Sequence, residues 1–387
     1  MKKEPLIYID RRNTDCCKWD GEREQFGETE LLPLWIADMD FLCPAAVRQA
    51  ITEWASQGVF GYYQTPDRYF EAFRRWELEE HGFAVKREWM RFSPGIVSAI
   101  YWIVQMFTQP GDPVTVLTPV YYPFLHAVED NGRKLVCCDL TCAEGRYTVD
   151  FAQLEQSFAS TGSKLLIFSS PHNPVGRVWS REELEKLCRL CEKYGVIVLS
   201  DEIHQDLVLG EQPHIPTASL GIGKVITCIS SSKTFNIAGL KNSCVLIPDP
   251  ALREVYDRFA GGIHVMDGAS VGYVAATAAL ESGKPWLESL KEQVRENYQA
   301  ACAELMDCLP KAVIAPLEGT YLMWLDLRAY VQPEQIHTLV QEVCGLAVDY
   351  GEWFGGKQYQ GMIRLNLATS LENIMLAVER LCAALTE

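Results

Sequence analysis

Ser230-Ser231-Ser232-Lys233-Thr234-Phe235-Asn236-Ile237-Ala238-Gly239-Leu240-Lys241 follows directly on the apolar run Val225 to Ile229. The run reads as a short strand, so Lys233 stands just beyond a strand's C-terminal end, among hydroxyls and small residues. A lysine on such a loop can lose solvation and charge and become an imine-forming nucleophile. Taken alone, it reads more readily as a solvated surface lysine. Two segments upstream change that balance. Ser169-Ser170-Pro171-His172-Asn173-Pro174-Val175-Gly176 ends the run Lys164 to Phe168, and Ser200-Asp201-Glu202-Ile203-His204 ends the run Val196 to Leu199. Three consecutive strand ends thus present an Asn, an Asp with a His three residues on, and a Lys.

Working outward, Val114 to Leu117, Leu135 to Cys138 and Val245 to Ile247 read as further strands. Pro94 to Phe107, Pro123 to Asn131 and Arg181 to Tyr194 read as helices between them. Nearly continuous apolar strands separated by helices predict an α/β fold with a mostly parallel sheet covered on both faces. Ligands collect at the C-terminal strand ends of such sheets. The last third differs. Helical pattern runs from Val271 to Met306, Pro333 to Cys344 and Leu371 to Ala384, with strand-like Tyr321 to Asp326 and Met362 to Leu367 between. We therefore expect a large domain over 46–280 and a smaller α+β domain made of 1–45 and 281–387.

The chain has 387 residues and a formal charge of −16. An acidic balance argues against nucleic acid, which needs clustered Lys and Arg, but permits a local anion site. No stretch approaches the roughly 18 apolar residues of a membrane helix, and the N-terminal apolar segment is too short for a secretory signal. Fourteen scattered cysteines in a chain with a large core and no such signal suggest reduced thiols and a cytoplasmic setting. Cys188-Arg189-Leu190-Cys191 is a formal C-x-x-C, but it lies on the apolar face of the Arg181 to Tyr194 helix and has no second pair at zinc spacing. Core cysteines, and no metal site, are the reading.

In its ordered motifs N-P-x-G, D-E-x-[YH] and S-x-x-K, the sequence resembles the aspartate-aminotransferase-like superfamily of pyridoxal phosphate (PLP) enzymes. The resemblance covers nearly the whole chain. It implies a PLP-binding domain on a mostly parallel seven-stranded sheet flanked by helices, plus the smaller α+β domain. Lys233 would bond covalently to PLP. Asp201 would face the pyridine nitrogen and keep it protonated. Asn173, and His204 where many relatives have Tyr, would meet the ring's 3′-oxygen. Gly95, Ile96 and Val97, in the turn Ser93-Pro94-Gly95-Ile96-Val97-Ser98, would hold the phosphate at a helix N-terminus. Ser230 and Lys241 would complete that site. Many relatives carry Arg at the Lys241 position, so the charge is kept and the bidentate fork lost. Tyr121 fits the aromatic that stacks on the ring, with Tyr122 as competitor. Arg364 fits the clamp for a substrate carboxylate. Tyr62, or else Tyr63, fits a tyrosine that reaches the neighbouring subunit's phosphate, which implies a homodimer.

A finer resemblance bears on the reaction. Leu32-Pro33-Leu34-Trp35-Ile36-Ala37-Asp38-Met39-Asp40-Phe41 is similar to the P-[LM]-W-x-A-D-M-D-F segment of the MalY/PatB subgroup, largely cystathionine β-lyases and related C–S lyases. Gly319-Thr320-Tyr321-Leu322 agrees. That segment, with Ile36 and Ala37, lines the substrate side of the pocket in the subgroup. The implied activity is α,β-elimination from a thioether amino acid, giving a thiol, pyruvate and ammonia. Fold alone does not choose a PLP reaction. An aminotransferase would use nearly the same residues, and a regulatory PLP-binding protein is a third reading.

Overall fold

Six of the apolar runs are strands of one seven-stranded sheet in the computed structural model, which describes residues 2–28 and 30–386. In chain order the strands are β1 (Met90–Ser93), β2 (Pro113–Thr118), β3 (Lys134–Asp139), β4 (Leu165–Ser169), β5 (Ile197–Asp201), β6 (Val225–Ile229) and β7 (Ser243–Leu246). Their order across the sheet is β1-β7-β6-β5-β4-β2-β3. All neighbours are parallel except at β7, which runs antiparallel to both β6 and β1. β1 is the strand that the sequence pattern had not marked. It is four residues long and carries Arg91, so its apolar signal is weak.

Side chains along β4 alternate between two cores. Leu165 and Ile167 pack with Ala99, Ile103 and Val104 of the Ile96–Phe107 helix. Leu166 and Phe168 pack on the other face with Leu184, Leu187 and Cys188. Both faces are covered, which is why every residue of β4 and β6 is buried. The helix Arg181–Tyr194 is bounded as its sequence dictates. Ser180 and Glu183 form a capping box, and Gly195 ends the helix with φ of 67°. Cys188 and Cys191 are both buried on its inner face, so the C-x-x-C is core.

The C-terminal region forms a four-stranded antiparallel sheet: β8 (Val313–Ile314), β9 (Leu322–Asp326), β10 (Asp349–Tyr350) and β11 (Met362–Asn366), in the order β8-β9-β11-β10. The helices Lys284–Cys308 and Leu371–Thr386 share its core. Leu32–Pro33 pairs in parallel with Leu346–Ala347, so the N-terminal segment runs beside this sheet.

Three expectations need correction. The helical stretch from Val271 breaks at Gly283 into Ser270–Ser282 and Lys284–Cys308, because Pro285 in the first turn of the second helix has no N–H to continue the ladder. The stretch from Pro333 is a 3₁₀ turn, Pro333–Gln335, and a π-helical segment, Thr338–Val343. Finally, Cys308 and Cys382 form a disulfide where reduced thiols were expected. The two helices bring their Cα atoms within 5.9 Å, a bridging distance. The other twelve cysteines are free. Among the described residues no helix is long and apolar enough to cross a membrane.

Candidate active site

The register of the sheet levels three strand ends: Ser169 of β4 stands opposite Asp201 of β5, and Asp201 opposite Cys228 of β6. The loops that leave these strands surround a cavity of about 550 Å³. Gly95, Ile96, Val97, Tyr121, Asn173, Asp201, His204, Lys233, Lys241 and Ala37 all line it. Asn173, Asp201 and Lys233 thus meet in one place because short parallel strands end at one edge, and the N-terminal segment brings Ala37 to them.

Lys233 Nζ donates to the backbone oxygen of Ala37 at 2.5 Å, and Tyr321 Oη donates to the same oxygen at 2.8 Å. Burial pushes the Lys233 amine down to about 8. Arg364 acts in the same direction, while Asp38 and Asp201 oppose it. A neutral amine is therefore accessible near physiological pH, as a nucleophile or base requires. Burial pushes Asp201 up to about 7, although its Oδ1 accepts from the Ile203 N–H at 3.1 Å. Burial, with the nearby Lys233 and Arg364 charges, holds His204 down to about 3, so its imidazole is neutral. His204 Nδ1 is buried without a hydrogen-bond partner, and its ring meets Tyr321 edge-on at 5.8 Å.

The helix Ile96–Phe107 opens at this cavity with no side-chain cap. Its first N–H groups lack intrahelical partners by construction. A Cβ at Gly95 would have nothing within 4 Å, so the backbone faces open space there. Lys241 sits in the left-handed region at φ of 51°, ending the short turn Ala238–Leu240 on the cavity wall. Ser230 is placed differently. Its hydroxyl donates to the Asn242 backbone oxygen at 2.8 Å and accepts from Ser232 N–H at 3.2 Å, and Ser232 lines the cavity in its stead.

Tyr121 and Tyr122 diverge. Tyr121 faces the cavity, its N–H bonded to Asn173 O at 3.1 Å. Tyr122 turns to Trp353 and Phe354, with ring centroids at 6.1 and 5.7 Å. Arg364, on β11, is buried behind Asn173. Its Nη1 donates to Asn173 Oδ1 at 3.0 Å, and its Nη2 donates to Trp35 O at 2.8 Å and pairs with Asp349. Phe354 lies beneath the guanidinium at 5.1 Å. Ile36 packs with Leu31, Trp35 and Ala347 and does not line the cavity; its neighbour Ala37 does. Tyr62 is fully exposed on the chain and lies outside the cavity, and Tyr63 is half exposed.

Several contributors escaped the sequence reading. Asn236 donates to Met39 O and Phe41 O, and Asn366 donates to Ile36 O and Asp38 O. Together they fasten the Trp35–Phe41 segment over the lysine loop. The signal for Asn236 was present: it stands three residues after Lys233 inside the quoted motif. Asp349 gave none, since its partner Arg364 is found only through strand pairing.

These residues suit PLP. The uncapped helix N-terminus and Lys241 match a dianion, and the orphaned His204 Nδ1 and the acid Asp201 sit beside Lys233, whose amine is softened by burial. The comparisons agree. Residues 29–381 match the family model "Aminotransferase class I and II". The chain is 39% identical to "Cystathionine beta-lyase PatB" of Bacillus subtilis over 383 residues, covering 97% of this chain and 98% of that one. It is 32% identical to "Protein MalY" of Escherichia coli, over 92% of each. The PLP-bound C-S lyase from Staphylococcus hominis superposes with a TM-score of 0.93 at 33% identity, covering 98% of this chain and 97% of that one. The chain belongs to the aminotransferase class I and II family, in the company of PatB and MalY.

Proposed function

We propose that the protein is a PLP-dependent carbon–sulfur β-lyase acting on cystathionine or a related cysteine S-conjugate. The observation that carries this reading is the buried Lys233 amine at the meeting of the three strand ends, under a Trp35–Phe41 segment of lyase type. When bound, PLP supplies an electron sink for the pair left at Cα. Lys233 would hold the cofactor through Nζ, and the same Nζ would accept the Cα proton. Asp201 would keep the ring nitrogen protonated. Asn173 and the neutral His204 would offer hydrogen bonds to the ring oxygen, and Tyr121 would cover the ring. Gly95, Ile96, Val97 and Lys241 would hold the phosphate, with Ser230 bracing Asn242 behind them. Arg364, oriented by Asn173, takes the α-carboxylate. The segment with Ile36 and Ala37 excludes water from the substrate side.

Loss of the Cα proton is followed by cleavage of the Cβ–S bond. The sulfur leaves as a thiol, homocysteine in the case of cystathionine, and the three-carbon remainder takes up water to give pyruvate and ammonia. Transamination is the second reading, favoured by the family whose model the chain matches. It would move the Cα proton within the site and require a 2-oxo acid acceptor. Lys233→Ala tests the assignment: it should abolish both pyruvate release and covalent cofactor absorbance, and normal turnover in that variant would overturn it.

The division into a large domain, 46–280, and a smaller one, 1–45 with 281–387, belongs to the same proposal. So does a homodimer in which Tyr62 reaches the partner's phosphate. An exposed apolar run, Val59, Phe60, Tyr62 and Tyr63, supports it, since such a run wants a cover. A cytoplasmic setting suits the twelve free thiols.

A further inference from the structure

Arg364 already holds an anion. Asp349 on β10 is its direct cross-strand partner on β11, and the Asp349 Oδ2 pairs with Arg364 Nη2. Both residues are 1% exposed. The Nη2 group is fully used, by Asp349 and by Trp35 O, and one Nη1 hydrogen goes to Asn173. Arg364 Nε and Asp349 Oδ1 are both buried without a partner. The guanidinium therefore has spare donors, but its charge is already balanced.

From this geometry we infer that Asp349 is a positioning and affinity-setting residue of the clamp, and that binding of an amino-acid carboxylate at Arg364 is coupled to uptake of a proton by Asp349. The inference rests on the reading of Arg364 as the carboxylate clamp. A substrate carboxylate would put two anions around one buried cation, and the second anion is relieved most cheaply by protonation. Burial already pushes the Asp349 carboxyl up to about 6 against the pull of Arg364. Other titratable groups face this pair. Tyr121 and Tyr122 approach Asp349 from the loop after β2, and burial keeps both phenols protonated. Lys233 and His204 feel the Arg364 charge from the strand-end loops. None of them offers a second carboxylate to the guanidinium.

The test is calorimetric titration of the cofactor-loaded protein with propionate, a carboxylate with no amine of its own, in buffers of different ionisation enthalpy. For the native chain we expect uptake of about half a proton or more per propionate at pH 7.5, and affinity that rises roughly tenfold from pH 8 to pH 6. Asp349→Asn should lose both the uptake and the pH slope and bind propionate more tightly at pH 8. Equal uptake in the native chain and Asp349→Asn, or no uptake in the native chain, would overturn the inference. The native-chain measurement stands even if the variant fails to fold. Arg364→Lys separates the underlying reading: unchanged propionate affinity in that variant would mean that Arg364 is not the clamp, and would overturn both.

Discussion

Asn173 Oδ1 accepts a hydrogen bond from Arg364 Nη1 at 3.0 Å, joining the loop after β4 of the large sheet to β11 of the C-terminal sheet. Through this bond the residue proposed to meet the cofactor also aims the residue proposed to meet the substrate. Both residues are buried.

Asn173→Ala should therefore act on both ligands. Loss of one buried charge-assisted hydrogen bond costs about 1–3 kcal/mol. We expect a roughly five- to hundredfold rise in KM for the amino acid, together with weaker retention of cofactor. Steady-state kinetics alongside cofactor absorbance after dialysis measures the two effects. A change in kcat alone would contradict the proposed geometry.

The Lys233 amine, pushed down to about 8 by its burial, sets a pH dependence for covalent capture of PLP by the cofactor-free protein. Only the neutral amine attacks. The capture rate should climb about tenfold per pH unit below that value and level off above it. Stopped-flow absorbance across pH 6 to 10 reads this directly. A profile that keeps climbing to pH 10 would indicate an ordinary solvated lysine.

Behind the lysine loop, Asp206 accepts from Trp76, His81 and Thr234, the residue after Lys233, at 2.9, 2.8 and 2.7 Å. Nearby, Glu77 receives one hydrogen bond from Gln205, and its Oε2 has none. Burial raises this carboxyl to about 8. A raised acid binds its proton more tightly in the folded state, so the fold loses stability as pH rises from about 4.5 to about 8. Glu77→Gln removes that loss. Its melting temperature should match the native protein's near pH 5 and exceed it by several degrees at pH 9, as calorimetry would show.

The exposed Tyr62 permits a complementation experiment. If it serves the partner's site, Tyr62→Ala and Lys233→Ala chains mixed by refolding form heterodimers with one complete site. Activity should then recover to about a quarter of the native level, the statistical share of intact sites. No recovery above the Tyr62→Ala homodimer would leave Tyr62 without a role across the interface.

Much of the site was legible because its chemistry is local in sequence. Asn173, Asp201 and Lys233 each follow a short apolar run, and parallel strands ending level bring such loops together whatever lies between them. What the pattern missed is non-local. The Asp349–Arg364 pair is set by strand register, which the sequence does not display. Phe235 approaches Gly283 so closely that a Cβ there would clash. Ser230 carries the expected hydroxyl, but a tight turn directs it to Asn242. Tyr121 and Tyr122 are equivalent as adjacent letters, and only the packing of Tyr122 on Trp353 and Phe354 separates them.

The reaction is tested most directly by a purified-enzyme assay with cystathionine, reading pyruvate and free thiol together. A β-lyase releases equimolar pyruvate and homocysteine with no 2-oxo acid added. Turnover that depends strictly on 2-oxoglutarate, without thiol release, would contradict the β-lyase reading.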